Sequence, residues 1–175
     1  MQLQLRPLAT GTVLAASLFI APFSWAADAI DKADSAMLKD IAEANMAEVA
    51  TGKLALEKSA NPEVKKFAQM MVDDHTNGLK EAQTLATAKS VDLPDEPNVK
   101  HKAAAKQLQA LKADTFDSHY IKQAGVGDHK DTVALLKKTQ SKAKDADLKA
   151  LATKMLPIVQ EHLKHAQQLA SNAKS

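Results

Sequence analysis

The dipeptide Asn61-Pro62 constrains this chain more than any other feature. Asn is a strong helix N-cap, and Pro is tolerated at the first helical position because its missing N–H has no intrahelical partner. On both sides of it, residues of one type recur at three-four spacing. Before it, Leu38, Ile41, Asn45, Glu48, Gly52 and Ala55 share a helix face; after it, Val64, Ala68, Met71, His75, Leu79, Ala82 and Ala86 share another. Two long helices reversed at a tight turn pack these faces together. Glu48 lies 13 residues before Asn61 and His75 lies 14 after it. At about 1.5 Å rise per residue, each sits roughly 20 Å from the turn. Antiparallel packing therefore sets a carboxylate and an imidazole at one level, facing inward.

The rest of the chain repeats this scheme. The spacing predicts a first helix over 35–59, capped by Asp34 or Ser35, and a second from Pro62 to about Ser90. Pro94 and Pro97 fix the connection over 91–98. A short helical piece over 99–112 turns Leu108 and Leu111 inward. A third long helix is predicted from Thr115 to about Lys144, with Asp114 as cap and Asp117 as a capping-box-like partner. Gly125 and Gly127 weaken its middle, which suits a bulge or a close approach of a neighbour. After a reversal at Asp145–Asp147, the last helix runs to about Asn172. Pro157 lies inside it, where it should kink the helix and free the carbonyl of Thr153. No strand and no repeat is legible. The expected fold is all-α: an up-down-up-down four-helix bundle with a short extra helix between helices 2 and 3.

Residues 1–26 read as a signal peptide. Arg6 supplies the positive start, residues 8–23 form a mostly apolar run, and Ser24-Trp25-Ala26 places small residues where a signal peptidase reads them. The run is short for a membrane span, so the expected product is a periplasmic protein with no transmembrane segment after cleavage. Residues 27–34 read as a flexible lead-in and 35–172 as the bundle. The formal charge of +2 comes from interleaved acids and bases, with no basic block aimed at nucleic acid. There is no cysteine, which excludes disulfides, thiolate catalysis and iron–sulfur ligation.

The last hairpin carries its own level pair. His129 lies 17 residues before Ala146 and His162 lies 16 after it. If the short helix is a lid rather than part of the shaft, Glu48, His75, His129 and His162 form one layer. One carboxylate and three imidazoles make a ligand set suited to zinc, copper, iron or nickel. Each of these histidines follows an acid, so Asp74, Asp128 and Glu161 are candidate supports for the ligands. Tyr120 can hydrogen-bond into the bundle or cover the short helix. The competing reading is a neutral core network in which Glu48 holds a proton or pairs with an imidazolium. His101, His119 and His165 belong to no such constellation and read as surface. The methionines lack the short repeats of a copper box, so they read as core filler. No Glu-x-x-His pair, nucleophile elbow or phosphate loop is present, which leaves no catalytic residues to assign.

Several of these residues also carry a resemblance. Glu48-x3-Gly52, Val64-Lys65-x-Phe67-Ala68-x2-Met71-Val72-x-Asp74-His75, Phe116-Asp117-x2-Tyr120, Asp128-His129 and Leu156-Pro157-x4-His162 resemble the exported ferritin-like proteins of family 4142 of domains of unknown function. The resemblance spans nearly the whole mature chain and implies a periplasmic ferritin-like bundle. It adds no catalytic residue.

Two functions follow. The first is a periplasmic metal-binding bundle acting in envelope stress or metal buffering. The second is an interaction module that meets a second copy or an envelope protein. Enzyme chemistry is weaker and needs an open coordination position. The leader is checked by the intact mass of exported protein, which should lack about 26 residues; full-length chain in the membrane fraction would refute it.

Overall fold

A computed structural model describes residues 30–172, all helix and connections with no strand among them. The expected leader and the first residues of the lead-in lie outside the described residues. The helices are α1 (Lys32–Lys58), α2 (Pro62–Ala88), α3 (Val99–Ala110), α4 (Ala113–Tyr120), α5 (His129–Lys142) and α6 (Ala146–Asn172). A π-helical segment, Ile121–Asp128, joins α4 to α5 without a break, so the three make one long shaft. No helix among the described residues is long and apolar enough to cross a membrane.

The caps explain most of the boundaries. Asn61 caps α2 as expected, its side chain accepting from Glu63 N at 2.9 Å ahead of Pro62. The α1 cap moves upstream, because Asp31 accepts from Asp34 N at 2.9 Å and Lys32–Asp34 are helical. Asp34 is free for another task. Its buried carboxylate accepts the N–H groups of Lys144 and Asp145, each at 2.7 Å, and ties the start of α1 to the reversal before α6. Lys89 salt-bridges Asp145 at 2.8 Å and brings the end of α2 to the same place. α2 stops at Ala88 because Ser90 turns left-handed, with φ 54°. Val91 N then bonds Ala86 O at 2.8 Å, which closes the helix end as a Schellman motif. The start expected at Thr115 falls at Ala113 instead, with Lys112 in the cap position. The cap expected from Asp114 rests on a side chain outside those described. Asp117 is no capping-box partner, since its Oδ1 is buried without a hydrogen bond.

α1 packs on α2, α2 on α6, α6 on α5 with the π segment, and α5 on α1. These four shafts are the expected bundle, and direction alternates around the ring. In chain order the path differs from up-down-up-down. Asn98 Nδ2 donates to Glu43 partway along α1, and Lys58 Nζ at its end reaches Gln109 O at 2.6 Å. α3 thus runs alongside α1 as a crossover and is not a lid. It returns the chain to the Asn61 end, so α4 starts where α2 starts and both descend. This long connection between two antiparallel hairpins is ferritin-like.

The interior has two apolar clusters. One joins Leu38, Ile41, Leu136, Leu148, Ala152 and Val159; the other joins Phe67, Leu108, Phe116, Tyr120, Ala124 and Ala166. Between them lies a layer of buried polar residues: Asn45, Glu48, His75, His129 and His162. Pro157 lies on the exposed side of α6, and the helix continues through it. Gly125, in the π segment, is needed for close approach, since a Cβ there would lie 2.9 Å from Ala166 Cβ. A Cβ on Gly127 meets nothing nearer than Lys122 O at 3.5 Å. Gly125→Val is therefore expected to destabilise by about 1–3 kcal/mol through overpacking. Gly127→Ala should be neutral, or stabilising by up to about 1 kcal/mol. Thermal unfolding followed by circular dichroism measures both, and equal effects would contradict the packing.

Candidate metal centre

His75 comes from the middle of α2, His129 opens α5 directly after the π segment, and His162 comes from α6. All three are buried, at 3%, 1% and 3% exposure. One ring nitrogen from each lies within 4.8 Å of those of the other two. Their ring centroids form a near-equilateral triangle with sides of 5.4, 5.3 and 5.5 Å.

Hydrogen bonds assign the protons. Asn45 Nδ2 donates to Ile41 O at 2.7 Å, which turns Asn45 Oδ1 toward His75 Nδ1 at 3.0 Å. An amide oxygen only accepts, so His75 carries its proton on Nδ1 and its lone pair on Nε2. His129 Nδ1 lies 2.8 Å from Ala124 O, a carbonyl five residues back in the π segment. It too must donate from Nδ1 and keep Nε2 bare. The two Nε2 atoms are 3.4 Å apart. Two bare lone pairs face one another across that distance. His162 donates from Nε2 to Asp74 Oδ2 at 2.8 Å, which leaves Nδ1 as its acceptor. That Nδ1 is buried and has no partner.

Charge is disfavoured throughout the layer. Burial holds His75 well below the ordinary imidazole range, and the neighbouring His129 and His162 push the same way. Burial brings His129 down to about 4, although its bond to Ala124 opposes this. His162 is lowered by burial, with Asp74 pulling in the other direction. Three neutral imidazoles, each with a ring nitrogen within 4.8 Å of the others, are a donor set for a borderline transition metal, and the orphaned Nδ1 of His162 fits that use.

The other sequence candidates separate. Glu48 does not join the triangle. Its Oε1 lies 3.4 Å from His129 Nδ1, the nitrogen turned away from the other rings, and its Oε2 has no partner. Burial, reinforced by Asp128, raises the Glu48 carboxyl well above its ordinary range. Asp74 supports a ring, but the ring is that of His162 across the interface and not that of its neighbour His75. Asp128 is half-buried beside His101 and bonds no imidazole of the triangle. Glu161 is exposed and pairs with Lys164 at 3.8 Å, so it is no support for His162. Tyr120 is fully buried, stacks on Phe116 with centroids 5.9 Å apart, and leaves its hydroxyl unpartnered. Two supports escaped the sequence reading. Asn45 was visible as an amide on the core stripe, one turn before Glu48. The Ala124 carbonyl had only the paired glycines as a signal.

The molecule is thus a ferritin-like helical bundle with a buried three-histidine cluster at mid-height. Its sequence matches the model of the domain of unknown function DUF4142 over residues 21–169, and the chain belongs to that family. No curated protein matches it. Three solved structures share the fold. A DUF305 fragment from Deinococcus radiodurans superposes with a TM-score of 0.73 at 10% identity, covering 82% of this chain and 99% of that one. CopM in the Cu(I)-bound form gives 0.67 at 17% identity, with 81% and 98% covered. CopM in the Cu(II)-bound form gives 0.66 at 18% identity, with 79% and 96% covered.

The pKa directions set the pH response of the metal-free chain. Each imidazole is protonated in the unfolded chain below about 6.5 but resists protonation when folded. Their stabilising contribution is present above 6.5 and is lost as pH falls toward about 4 at His129. Glu48 has the opposite sign, its contribution being present below 4.5 and lost as pH rises. At no more than about 1.4 kcal/mol per pH unit for each group, three histidines outweigh one carboxyl. In chelator the melting temperature should fall between pH 7 and pH 5, and a flat profile would contradict the burial of neutral imidazoles.

Proposed function

We propose that this protein is a transition-metal-binding bundle in which His75, His129 and His162 hold one ion between α2, α5 and α6. The observation that carries the reading is the pair of Nε2 atoms 3.4 Å apart, each without a proton, because both protons are committed to Nδ1. A proton between them would resolve the clash, but burial and the mutual repulsion of charged rings oppose it. A cation bound by both lone pairs resolves it without that cost. Imidazole donors suit zinc, copper, iron or nickel. Copper is the ion to test first, since CopM has the same fold and was solved with copper in two oxidation states.

Within this reading Asn45, Ala124 and Asp74 hold the three rings by their outer nitrogens, and so fix which nitrogen faces inward. Glu48 stands behind His129 and is not a ligand in this arrangement. The ion would serve storage, buffering or sensing in the periplasm, reached after removal of residues 1–26. Ligation requires neutral imidazole, and the lowered pKa values keep the rings neutral below the usual range. Binding should therefore weaken at lower pH than exposed imidazoles would allow, with His129 protonating only at about 4.

Protein purified without an affinity tag and titrated by calorimetry should take up one ion per chain. His75→Ala should reduce affinity by more than the 10–100-fold typical of a supporting residue. His101→Ala should leave affinity unchanged, and both variants should stay helical because the apolar clusters remain. If the tag-free protein carries no metal and titrates none, the layer is a polar network and the bundle serves as an interaction module.

A further inference from the structure

Folding sorts charges that the sequence interleaves. From Lys130 to Gln160, across α5 and the first half of α6, the chain has seven lysines and three acids. Each of those acids is taken by a lysine from outside the stretch. Lys100 of α3 bonds Asp131 at 2.9 Å, and Lys89, just after α2, bonds Asp145 and Asp147, both at 2.8 Å. Two of the seven lysines pair elsewhere, Lys144 with Asp31 at 3.0 Å and Lys154 with Glu81 at 2.7 Å. The other five, Lys130, Lys137, Lys138, Lys142 and Lys149, are exposed and have no ion pair among the described residues. Lys138 lies near Asp40 without bonding it. On α5 these lysines avoid the buried stripe of His129, Thr132, Leu136 and Thr139. Gln140 Nε2 donates to Thr153 Oγ1 at 3.1 Å across the exposed seam, which joins α5 and α6 into one outer face. That face carries free positive charge and no free acid.

The chemistry of the face narrows its partner. The stretch holds neither arginine nor an aromatic side chain. Forked contacts to phosphates and base edges rely on Arg, and single strands are held by stacking on aromatics. Protein interfaces need apolar anchors, and Ile158 is the one large apolar side chain exposed in this stretch. Lysine ammonium groups on flexible stems are point charges, which suit a diffuse anionic plane. With a formal charge of only +2 on the whole chain, attraction to such a plane has to come from this face. We propose that the outer face of the α5–α6 hairpin docks the protein on a bilayer surface rich in anionic phospholipid. No helix among the described residues can cross a membrane, so the association is peripheral and screened by salt. It is independent of the metal-binding reading and adds a place at which the bundle works.

Vesicle flotation tests the docking. Purified protein at about 0.05 M salt should float with vesicles of phosphatidylcholine and phosphatidylglycerol in roughly equal parts, and not with phosphatidylcholine alone. Raising the salt to about 0.5 M should release it. Lys137→Glu/Lys142→Glu/Lys149→Glu should weaken binding by roughly a hundredfold, about fivefold for each lysine taken from the surface. Lys53→Glu/Lys65→Glu/Lys66→Glu changes exposed lysines of α1 and α2, alters net charge equally, and should bind as the unaltered protein does. Circular dichroism checks that both triples stay helical, and the salt series needs no variant if either misfolds. No flotation of the unaltered protein at low salt overturns the proposal. Equal loss in the two triples overturns it too, because net charge and not the hairpin would then be the cause. If a duplex oligonucleotide of equal phosphate content strips the protein completely from the vesicles, the face is a nucleic-acid site and the proposal falls.

Discussion

The structure turns on one unfavourable contact. Nε2 of His75 and Nε2 of His129 face each other at 3.4 Å, and burial opposes the proton that would join them. The contact is imposed from outside. Asn45 takes the proton of one ring, and Ala124 takes that of the other. The Ala124 carbonyl is in position because the backbone widens to π-helical geometry over Ile121–Asp128 just before His129. Close packing then holds the rings in place: Gly125 lets the π segment meet Ala166 of α6, and Gly78 leaves room beside Asn45 and Met155. Apolar clusters on both sides of the layer prevent the rings from relaxing toward water.

A buried polar layer of this kind costs stability unless every member is partnered. Most of the layer is satisfied. Asn45 uses both its oxygen and its nitrogen, and each ring commits one nitrogen. What remains unsatisfied is concentrated on the inward nitrogens and on the outer oxygen of Glu48. The inward nitrogens converge, whereas Glu48 Oε2 and the Tyr120 hydroxyl are separate orphans near one another in charge, since Glu48 raises the Tyr120 phenol further above its ordinary range after burial does so. Such convergence is what the proposed ligand set requires and what scattered imperfect packing would lack.

Much of this was legible in the residues. The stripes around Asn61-Pro62 defined the first hairpin, and turn counting put Glu48, His75, His129 and His162 at one height. Height does not say which side of a ring a neighbour meets, and for that reason Glu48 was expected among the ligands and lies behind His129. The acids that precede the histidines misled in a related way. Adjacent helical residues point about 100° apart, so Asp74 cannot serve His75, but it reaches His162 on the next helix; Glu161, by the same geometry, faces solvent. The direction of the third shaft was hidden because α3 has only Leu108 fully buried, and so little periodicity to show which helix it crosses. Asp34 read as a cap because Asp31 and the reversal at Lys144 are too far apart in sequence to be weighed together.

The shared fold does not itself argue for a metal, since helical bundles at 10–18% identity preserve shaft packing without preserving donors. What favours a metal in this chain is where its own hydrogen bonds hold the imidazole protons. It also bears on stability. The three donors come from three different shafts, so an ion at the centre would cross-link α2, α5 and α6 and would be absent from the unfolded chain. Its binding free energy would add to folding as RT ln(1 + [M]/Kd), about 2.7 kcal/mol at a hundredfold excess over Kd. α1 contributes no donor and is held to the others by Asp34, Asn45 and the crossover helix. A bundle braced in this way would have the ion's full contribution while its imidazoles are neutral, and would lose it as pH falls toward about 4 at His129 and protons take the same nitrogens.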